Sequence, residues 1–260
     1  MNQAFPTMSP GDVGLTNPNV APSTAPGSVS VTSGYERWAP TYDRAPNPLL
    51  NLEERKLAPL LPSLSGKHVL DLACGTGRWL AKLFAEGAGR GVGIDLSAAM
   101  LRVAGRKAAI RGRLARADCL TLPFRASVFD LVVCSFALGH IRDLAAMVQE
   151  VARVTKPGAE VLVSDLHPEA YAQGWRTGFR DARGAVQIEM SPRTAEEIVQ
   201  AFQSGGFECL THVPFCLGEP EKAIFARAEK SRWFPEACRM PAVLICHFKR
   251  LGPIESPTAG

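Results

Sequence analysis

The chain has no run of five or more Lys or Arg, and its basic residues are scattered. It therefore lacks the electrostatic footprint of a nucleic-acid binder. It has no apolar stretch of the ~18–20 residues that a membrane-spanning helix needs. The best candidate, 131–141, is short and carries Ser135 and His140. There is no Cys-x-x-Cys pair among the 7 cysteines, which spread from Cys74 to Cys246. That pattern reads as reduced thiols in a cytoplasmic protein, not as a disulfide frame or a metal site. The first residues have neither a basic start nor an apolar core segment, so no signal peptide is expected. No repeat of fixed period is present. What is there is ordinary for a globular protein: 260 residues, 46% hydrophobic and 21% charged, with 29 Lys+Arg against 25 Asp+Glu for a formal charge of +4. That is enough for one large domain or two small ones, with a core that needs neither disulfide nor metal.

Residues 1–33 are dominated by Pro, Ser, Thr, Ala, Gly, Asn and Val, with Asp12 the one charged side chain. Such a segment buries too little apolar surface to offset its ordering entropy, and a disordered tail is expected. Residues 34–62 differ. Tyr35, Trp38 and Tyr42 fall within eight residues, and the leucines of 49–61 recur at near-helical spacing. From 63 to 252 strand and helix patterns alternate: strand segments at 68–73, 91–96, 113–118, 129–137 and 159–166, with helical stretches after the first, second and fourth, the last of them 144–158. A helix over 191–204 with Pro192 in its first turn, a strand over 206–215, a helix over 219–234 and a strand over 241–248 follow. The alternation predicts an α/β fold, a doubly wound parallel sheet with helices on both faces. Two segments, 167–190 and 217–239, exceed the usual connections and read as insertions; 253–260 reads as a tail.

The chemistry concentrates where the first strand gives way to the first helix, in Asp71-Leu72-Ala73-Cys74-Gly75-Thr76-Gly77-Arg78. Gly75 and Gly77 let a ligand lie against the backbone. The helix start favours a polar or anionic partner. Asp71 can accept from a ligand amine or organise the loop. Asp95 ends the second strand, where a doubly wound fold holds ribose hydroxyls. Asp118 ends the third, within reach of an adenine amino group. Each Asp alone is equally a helix cap; three at successive strand ends point to one ligand edge. The dinucleotide fingerprint needs a third small residue, and that register falls on Leu80, which argues against a nicotinamide cofactor.

These segments resemble the class I S-adenosylmethionine-dependent methyltransferases of the small-molecule type related to the quinone-biosynthesis enzymes. VLDLACGTGRW is similar to the first motif of that family, with Ala73 where Gly is commoner. GIDLS, ADCLTLPF, FDLVVCSFALGHIRD and KPGAEVLVSD are similar to the following four, in order, over about 35–215. The resemblance implies a Rossmann-like sheet of seven strands, six parallel and the seventh antiparallel, and S-adenosylmethionine as cofactor. It implies that Asp71, Ala73, Cys74, Gly75 and Gly77 cradle the methionine portion. It implies that Asp95 binds the ribose, that Leu96 and Met100 flank the adenine, that Asp118 and the Cys119 backbone face the adenine amino group, and that Ser135 lies beneath the sulfonium. Residues 34–62 then correspond to lid helices, with Tyr42 on the cofactor and Tyr35 and Trp38 toward the acceptor, or else packed as plain aromatics.

Methylating a hydroxyl or an acidic carbon also needs a base, and His suits that task near neutral pH. His167, directly after the fifth strand, and His140, after the fourth, are the candidate catalytic residues. Each has a structural alternative, as a turn cap and as a bridge between strand-end loops. Asp165 is a further polar group there. Trp175 and Phe179 could stack on a planar acceptor and Arg176 pair with its anion; the same stretch reads equally as a solvated loop anchored by two aromatics. The expected activity is methyl transfer to a small planar or anionic molecule. Its partners are expected to exclude nucleic acid and membrane, and a homodimer is left open. The rival readings are a cofactor-binding protein or a same-fold enzyme without methyl transfer, and a protein or RNA methyltransferase. The Asn/Asp-Pro-Pro-aromatic motif of amino-methylating nucleic-acid enzymes is missing after the fourth strand.

Overall fold

The computed structural model describes residues 28–44 and 46–252. Strand β1 (Ser28–Val29) and helix α1 (Val31–Trp38) come first, then α2 (Pro48–Leu57), whose N-cap Asn47 accepts from the Leu49 amide. The alternating core follows: β2 (His68–Leu72), α3 (Arg78–Ala85), β3 (Arg90–Asp95), α4 (Ala98–Ala104), β4 (Leu114–Arg116), β5 (Phe129–Ser135), α5 (Leu144–Val154) and β6 (Thr155–Leu166). Next come α6 (Pro168–Ala172), the hairpin β7 (Gly178–Asp181) and β8 (Gly184–Ile188), α7 (Ala195–Ser204), β9 (Phe207–Cys216), α8 (Glu219–Arg227), α9 (Phe234–Ala237) and β10 (Pro241–Arg250).

Among the described residues, seven strands form one sheet in the order β4-β3-β2-β5-β6-β10-β9. β10 runs antiparallel to both neighbours and the rest are parallel to one another. This is the expected doubly wound sheet with six parallel strands and an antiparallel seventh. Its central strands are apolar on both faces because helices cover both: Val69, Leu131 and Val133 pack to one side, Leu70, Leu72 and Val132 to the other. The chain winds from β2 outward to β4, then returns to place β5 on the opposite flank of β2. The carboxyl ends of β2, β3 and β5 thus border a crevice at the reversal point.

Several boundaries differ from those expected. Residues 28–33, read as tail, form β1 and the start of α1; the rest of that reading lies in 1–27, outside the described residues, as does the tail at 253–260. The helix read over 144–158 stops at Val154. Thr155 turns out of it, its hydroxyl donating to the Val151 carbonyl at 2.7 Å, and opens β6 opposite Phe129. The helix read from 191 starts after Thr194, which makes a reciprocal capping box with Glu197 and leaves Pro192 outside. The stretch 167–190 is not irregular: α6 and the β7–β8 hairpin fill it. β1 adds to β8 in parallel, Val29 opposite Ile188, giving a small three-stranded sheet. Phe179, Val186 and Ile188 supply its apolar face, and Val29, Val31, Tyr35 and Trp38 pack on them. All seven cysteines are unpaired thiols, and no helix among the described residues is long and apolar enough to cross a membrane.

Candidate active site

A cavity of about 600 Å³ opens at the crevice above β2, β3 and β5. The loop from β2 to α3 forms its floor. Ala73, Gly75 and Gly77 have φ of 55°, 54° and 76°, so three left-handed residues in five fold the chain back before α3 begins. The two glycines serve different ends. A Cβ on Gly75 would meet nothing within 4 Å, since that residue faces the open cavity. A Cβ on Gly77 would run into Cδ1 of Ile110. Gly77 does not border the cavity; it lets the loop pack on the turn before β4.

Two aspartates hold this loop. The Asp71 carboxylate is buried beneath it and accepts the Leu80 amide at 2.8 Å, tying β2 to the first turn of α3. Burial pushes its pKa up to about 7. Asp71 does not line the cavity, so of its two expected roles the structure gives it the organising one. Asp95 does line it. One oxygen accepts the Gly75 amide and the other the Ser97 amide, both at 2.8 Å, and burial raises its pKa. Each oxygen keeps a second lone pair for a ligand hydroxyl. Ser97 also caps α4, accepting the Met100 amide at 3.3 Å. Met100 is buried and Leu96 is 46% exposed, and both border the cavity beside Asp95. Asp118, exposed at the end of β4, accepts the Leu120 amide at 2.9 Å, and Cys119 next to it has its thiol pushed up to about 12 by burial.

A second group was not singled out from the sequence. Glu53 of α2 is fully buried; one carboxylate oxygen accepts from the Trp79 indole at 2.9 Å and the Ser164 hydroxyl at 2.8 Å. Its other oxygen accepts from the Arg78 guanidinium at 2.6 Å. Arg78 also donates to Glu54 at 3.2 Å and to the Ser135 hydroxyl at 3.1 Å, and it lines the cavity with Ser135. The sequence did hold a signal: Glu53 lies four residues from Leu49 and from Leu57, inside the apolar stripe of α2.

The opposite wall carries His140, on the 3₁₀ turn 138–140 that follows β5. Its Nδ1 is 2.9 Å from the Glu189 carbonyl, which can only accept, so Nδ1 bears the hydrogen. Nε2 then accepts from the Tyr35 hydroxyl at 3.0 Å. Burial lowers the pKa of His140 and raises that of Tyr35. Asp165 does not border the cavity. Its carboxylate accepts the Gly139 amide at 2.6 Å and the Leu166 amide at 2.7 Å, fixing the turn that carries His140, and burial raises its pKa.

Helix α1 and the turn after it roof the cavity. Tyr35 and Tyr42 face into it, and burial pushes the Tyr42 phenol up to about 12. Asp43 anchors this roof, accepting the Thr76 hydroxyl at 2.7 Å and pairing with Lys107 at 2.9 Å. Glu36 accepts the Ala99 amide at 3.2 Å.

Besides Asp71, Gly77 and Asp165, five expected site residues lie outside the cavity. His167 is the N-cap of α6, its Nδ1 accepting the Glu169 amide at 3.2 Å, and it does not line the cavity. Trp175 is buried in the main apolar cluster. Phe179 and Trp38 stack on each other at 5.4 Å within the small-sheet packing. Arg176 lies over the Tyr171 ring, 3.7 Å from its centroid, and donates to the Tyr171 and Trp175 carbonyls. The expected stacking and anion-pairing surface is therefore not formed: Phe179 supports the roof, Trp175 packs in the main core and Arg176 lies on α6. Tyr42, Ala73, Cys74, Gly75, Asp95, Leu96, Met100, Asp118, Cys119, Ser135, Tyr35 and His140 do converge on the one cavity.

A glycine-bearing loop, an acidic residue at each of the next two strand ends and a crevice at the winding reversal define a nucleoside-binding α/β protein. Comparison with known proteins narrows the class. Residues 69–158 match the family model described as a methyltransferase domain. A 2-phytyl-1,4-naphtoquinone methyltransferase of Synechococcus elongatus is 33% identical over 214 residues, covering 71% of this chain and 91% of the relative. A demethylmenaquinone methyltransferase of Lactiplantibacillus plantarum is 36% identical over 140 residues, 49% of this chain and 59% of the relative. With that relative and an Arabidopsis thaliana one covered to 61%, the chain spans about three fifths of the length of these two curated proteins. An S-adenosylmethionine-dependent methyltransferase structure from Mesorhizobium loti superposes with a TM-score of 0.61 over 76% of this chain and 98% of that one, at 24% identity, a likeness of fold. The chain belongs to the class I S-adenosylmethionine-dependent methyltransferase family. Its residues fit that cofactor: the loop leaves open space at Gly75, where a side chain would stand in the way, and Asp95 presents lone pairs to the same space.

Proposed function

We propose that this chain transfers a methyl group from S-adenosylmethionine to a small-molecule acceptor, with His140 as the base. The observation that carries this reading is the convergence on one cavity of the open loop at Gly75, the Asp95 and Asp118 carboxylates, and an imidazole whose Nε2 is a proton acceptor, met by the Tyr35 hydroxyl. In this assignment Asp95 accepts from the ribose hydroxyls. Leu96 and Met100 enclose the adenine, and Asp118 with the Cys119 backbone meets its amino group. Ala73, Cys74 and Gly75 border the methionine portion, and Tyr42 covers it. Asp71 and Gly77 act indirectly, by setting the loop's shape. The cofactor supplies a methyl group already activated on a sulfonium. The protein's work is alignment and exclusion of water, and alignment alone is worth several kcal/mol, up to ~7–11 in ideal cases.

His140 is preferred to His167 because it lines the cavity, with its Nε2 in the accepting state, while His167 lies outside the cavity as the cap of α6. The test is turnover to S-adenosylhomocysteine over a panel of hydroxylated and amino aromatic acceptors, with His140→Gln beside the wild type. The expected result is a fall in kcat of ~10²–10⁴-fold with cofactor affinity unchanged. Equal turnover in the two proteins would remove His140 from the chemistry.

A further inference from the structure

The acceptor side of the cavity contains an internal hydroxyl already bound where a substrate hydroxyl would have to bind. Tyr35 comes from the roof helix and His140 from the wall, 105 residues away in sequence, yet the phenol donates to Nε2 at 3.0 Å. The imidazole cannot turn to offer its other nitrogen, because Nδ1 is held by the Glu189 carbonyl, and Asp165 holds the Gly139 amide in the turn beneath. A single proton-accepting lone pair is thus presented to the cavity, and Tyr35 covers it.

The charges around that lone pair limit what can replace the phenol. Among the described residues bordering the cavity, the cations are Arg78, engaged by Glu53, Glu54 and Ser135, and Arg142, exposed on the rim. Phe136, Ile141 and Met190 give the wall near His140 an apolar part, and the other charges that border the cavity are the carboxylates of Asp95, Asp118 and Glu189, which repel an anion. An anionic acceptor would find no buried cation there to offset its desolvation. A neutral aromatic hydroxyl would find an apolar wall and one strong acceptor.

We propose that the methyl acceptor is an uncharged phenol or enol whose hydroxyl displaces the Tyr35 hydroxyl from Nε2 of His140, so that α1 is a latch the acceptor itself opens. This rests on the methyl-transfer reading above and adds the acceptor class and a competing internal ligand. In the step that follows, the acceptor's O–H bond breaks as its oxygen bonds the methyl carbon, the carbon–sulfur bond breaks with its electron pair left on sulfur, and the proton stays on Nε2. Tyr35 is a positioning residue in this scheme: it neither receives the proton nor touches the methyl. Its ring also stacks on Trp38, 6.0 Å between centroids, so Tyr35→Phe removes the competing hydroxyl and leaves the roof's packing in place.

The experiment is calorimetric titration of 2-naphthol, with 2-naphthoate as the anionic control, into wild type and Tyr35→Phe, each saturated with S-adenosylhomocysteine. One hydrogen bond of ~1 ± 0.5 kcal/mol no longer has to be broken, so 2-naphthol should bind the variant about 5-fold more tightly. 2-Naphthoate should bind weakly to both. Unchanged or weaker 2-naphthol binding in the variant, no 2-naphthol binding to either protein, or preferred binding of 2-naphthoate would each overturn the latch and the acceptor class. The underlying reading fails separately, and visibly, if S-adenosylhomocysteine itself does not bind.

Discussion

At the scale of single residues, buried carboxylates do most of the organising, each in a different way. Glu53 joins α2 to the start of α3 and to β6 through an indole, a hydroxyl and a guanidinium. Glu53→Ala leaves all three without their acceptor in a dry site. The expected loss is ~3–5 kcal/mol, read from the denaturant midpoint, with Glu53→Gln losing less because an amide oxygen can still accept. Asp71 works against stability at neutral pH. Burial raises its folded pKa to about 7, above its ordinary value of 3.8. The folded state therefore takes up the proton more readily than the unfolded chain. The destabilising contribution is full above pH 7 and fades as pH falls toward 4. An asparagine there keeps an oxygen for the Leu80 amide and carries no charge, so Asp71→Asn should raise Tm relative to wild type more at pH 8 than at pH 5; a gap independent of pH would contradict this. For His140 burial shifts the pKa down from 6.5, so the base stays neutral below the usual imidazole range. The acidic limb of kcat should fall at a pH under 6.5, and a limb above that value would argue that another group is titrating.

These residues were legible in unequal measure. Asp95 and Asp118 could be found because each closes a strand-like segment, and strand ends have a fixed address in a doubly wound sheet. Asp71 shares that address, and its sequence alone leaves it between ligand and loop, since nothing in a one-dimensional pattern tells a carboxylate above the loop from one below it. The Tyr35–His140 bond could not be read at all, because it joins two elements whose proximity depends on the whole fold.

At the scale of elements, the αβ alternation carries over almost unchanged because mostly apolar segments of six to nine residues, set between turn and helix signals, have few other solutions. The roof did not. β1 is two residues long and lies in a stretch rich in Ser, Thr and Pro; it is a strand because β8, 159 residues away at the Val29–Ile188 pairing, offers it a free edge. The hairpin β7–β8 was hidden by Arg and Asp on its outward positions. The roof is stapled at its far end by Arg37, which donates to Asp181 through two nitrogens at 2.6 and 3.2 Å. Both side chains reach solvent, which screens the pair, so its contribution to stability is small. Arg37→Ala should shift Tm by no more than about 2–4 °C while amide exchange in α1 speeds several-fold. Slow exchange in the variant would mean that the apolar contacts on Phe179 and Ile188 hold the roof without the ion pair.

At the scale of the whole molecule, the sheet, the crevice and the roof build one site. Winding outward from β2 and returning to its other flank opens a cleft at a fixed place. The loop, Asp95 and Asp118 arm one side of it, β5 and its turn bring His140 to the other, and a segment from before the first core strand closes the top. The central claim is that this cleft takes S-adenosylmethionine and that Asp95 grips it. The most direct measurement is calorimetric titration of S-adenosylhomocysteine and NAD, in parallel, into wild type and Asp95→Ala. Binding of S-adenosylhomocysteine but not NAD is predicted, with affinity at least about tenfold weaker in the variant, since charge-assisted hydrogen bonds are lost. Binding of NAD alone, or S-adenosylhomocysteine affinity untouched by the substitution, would contradict the account.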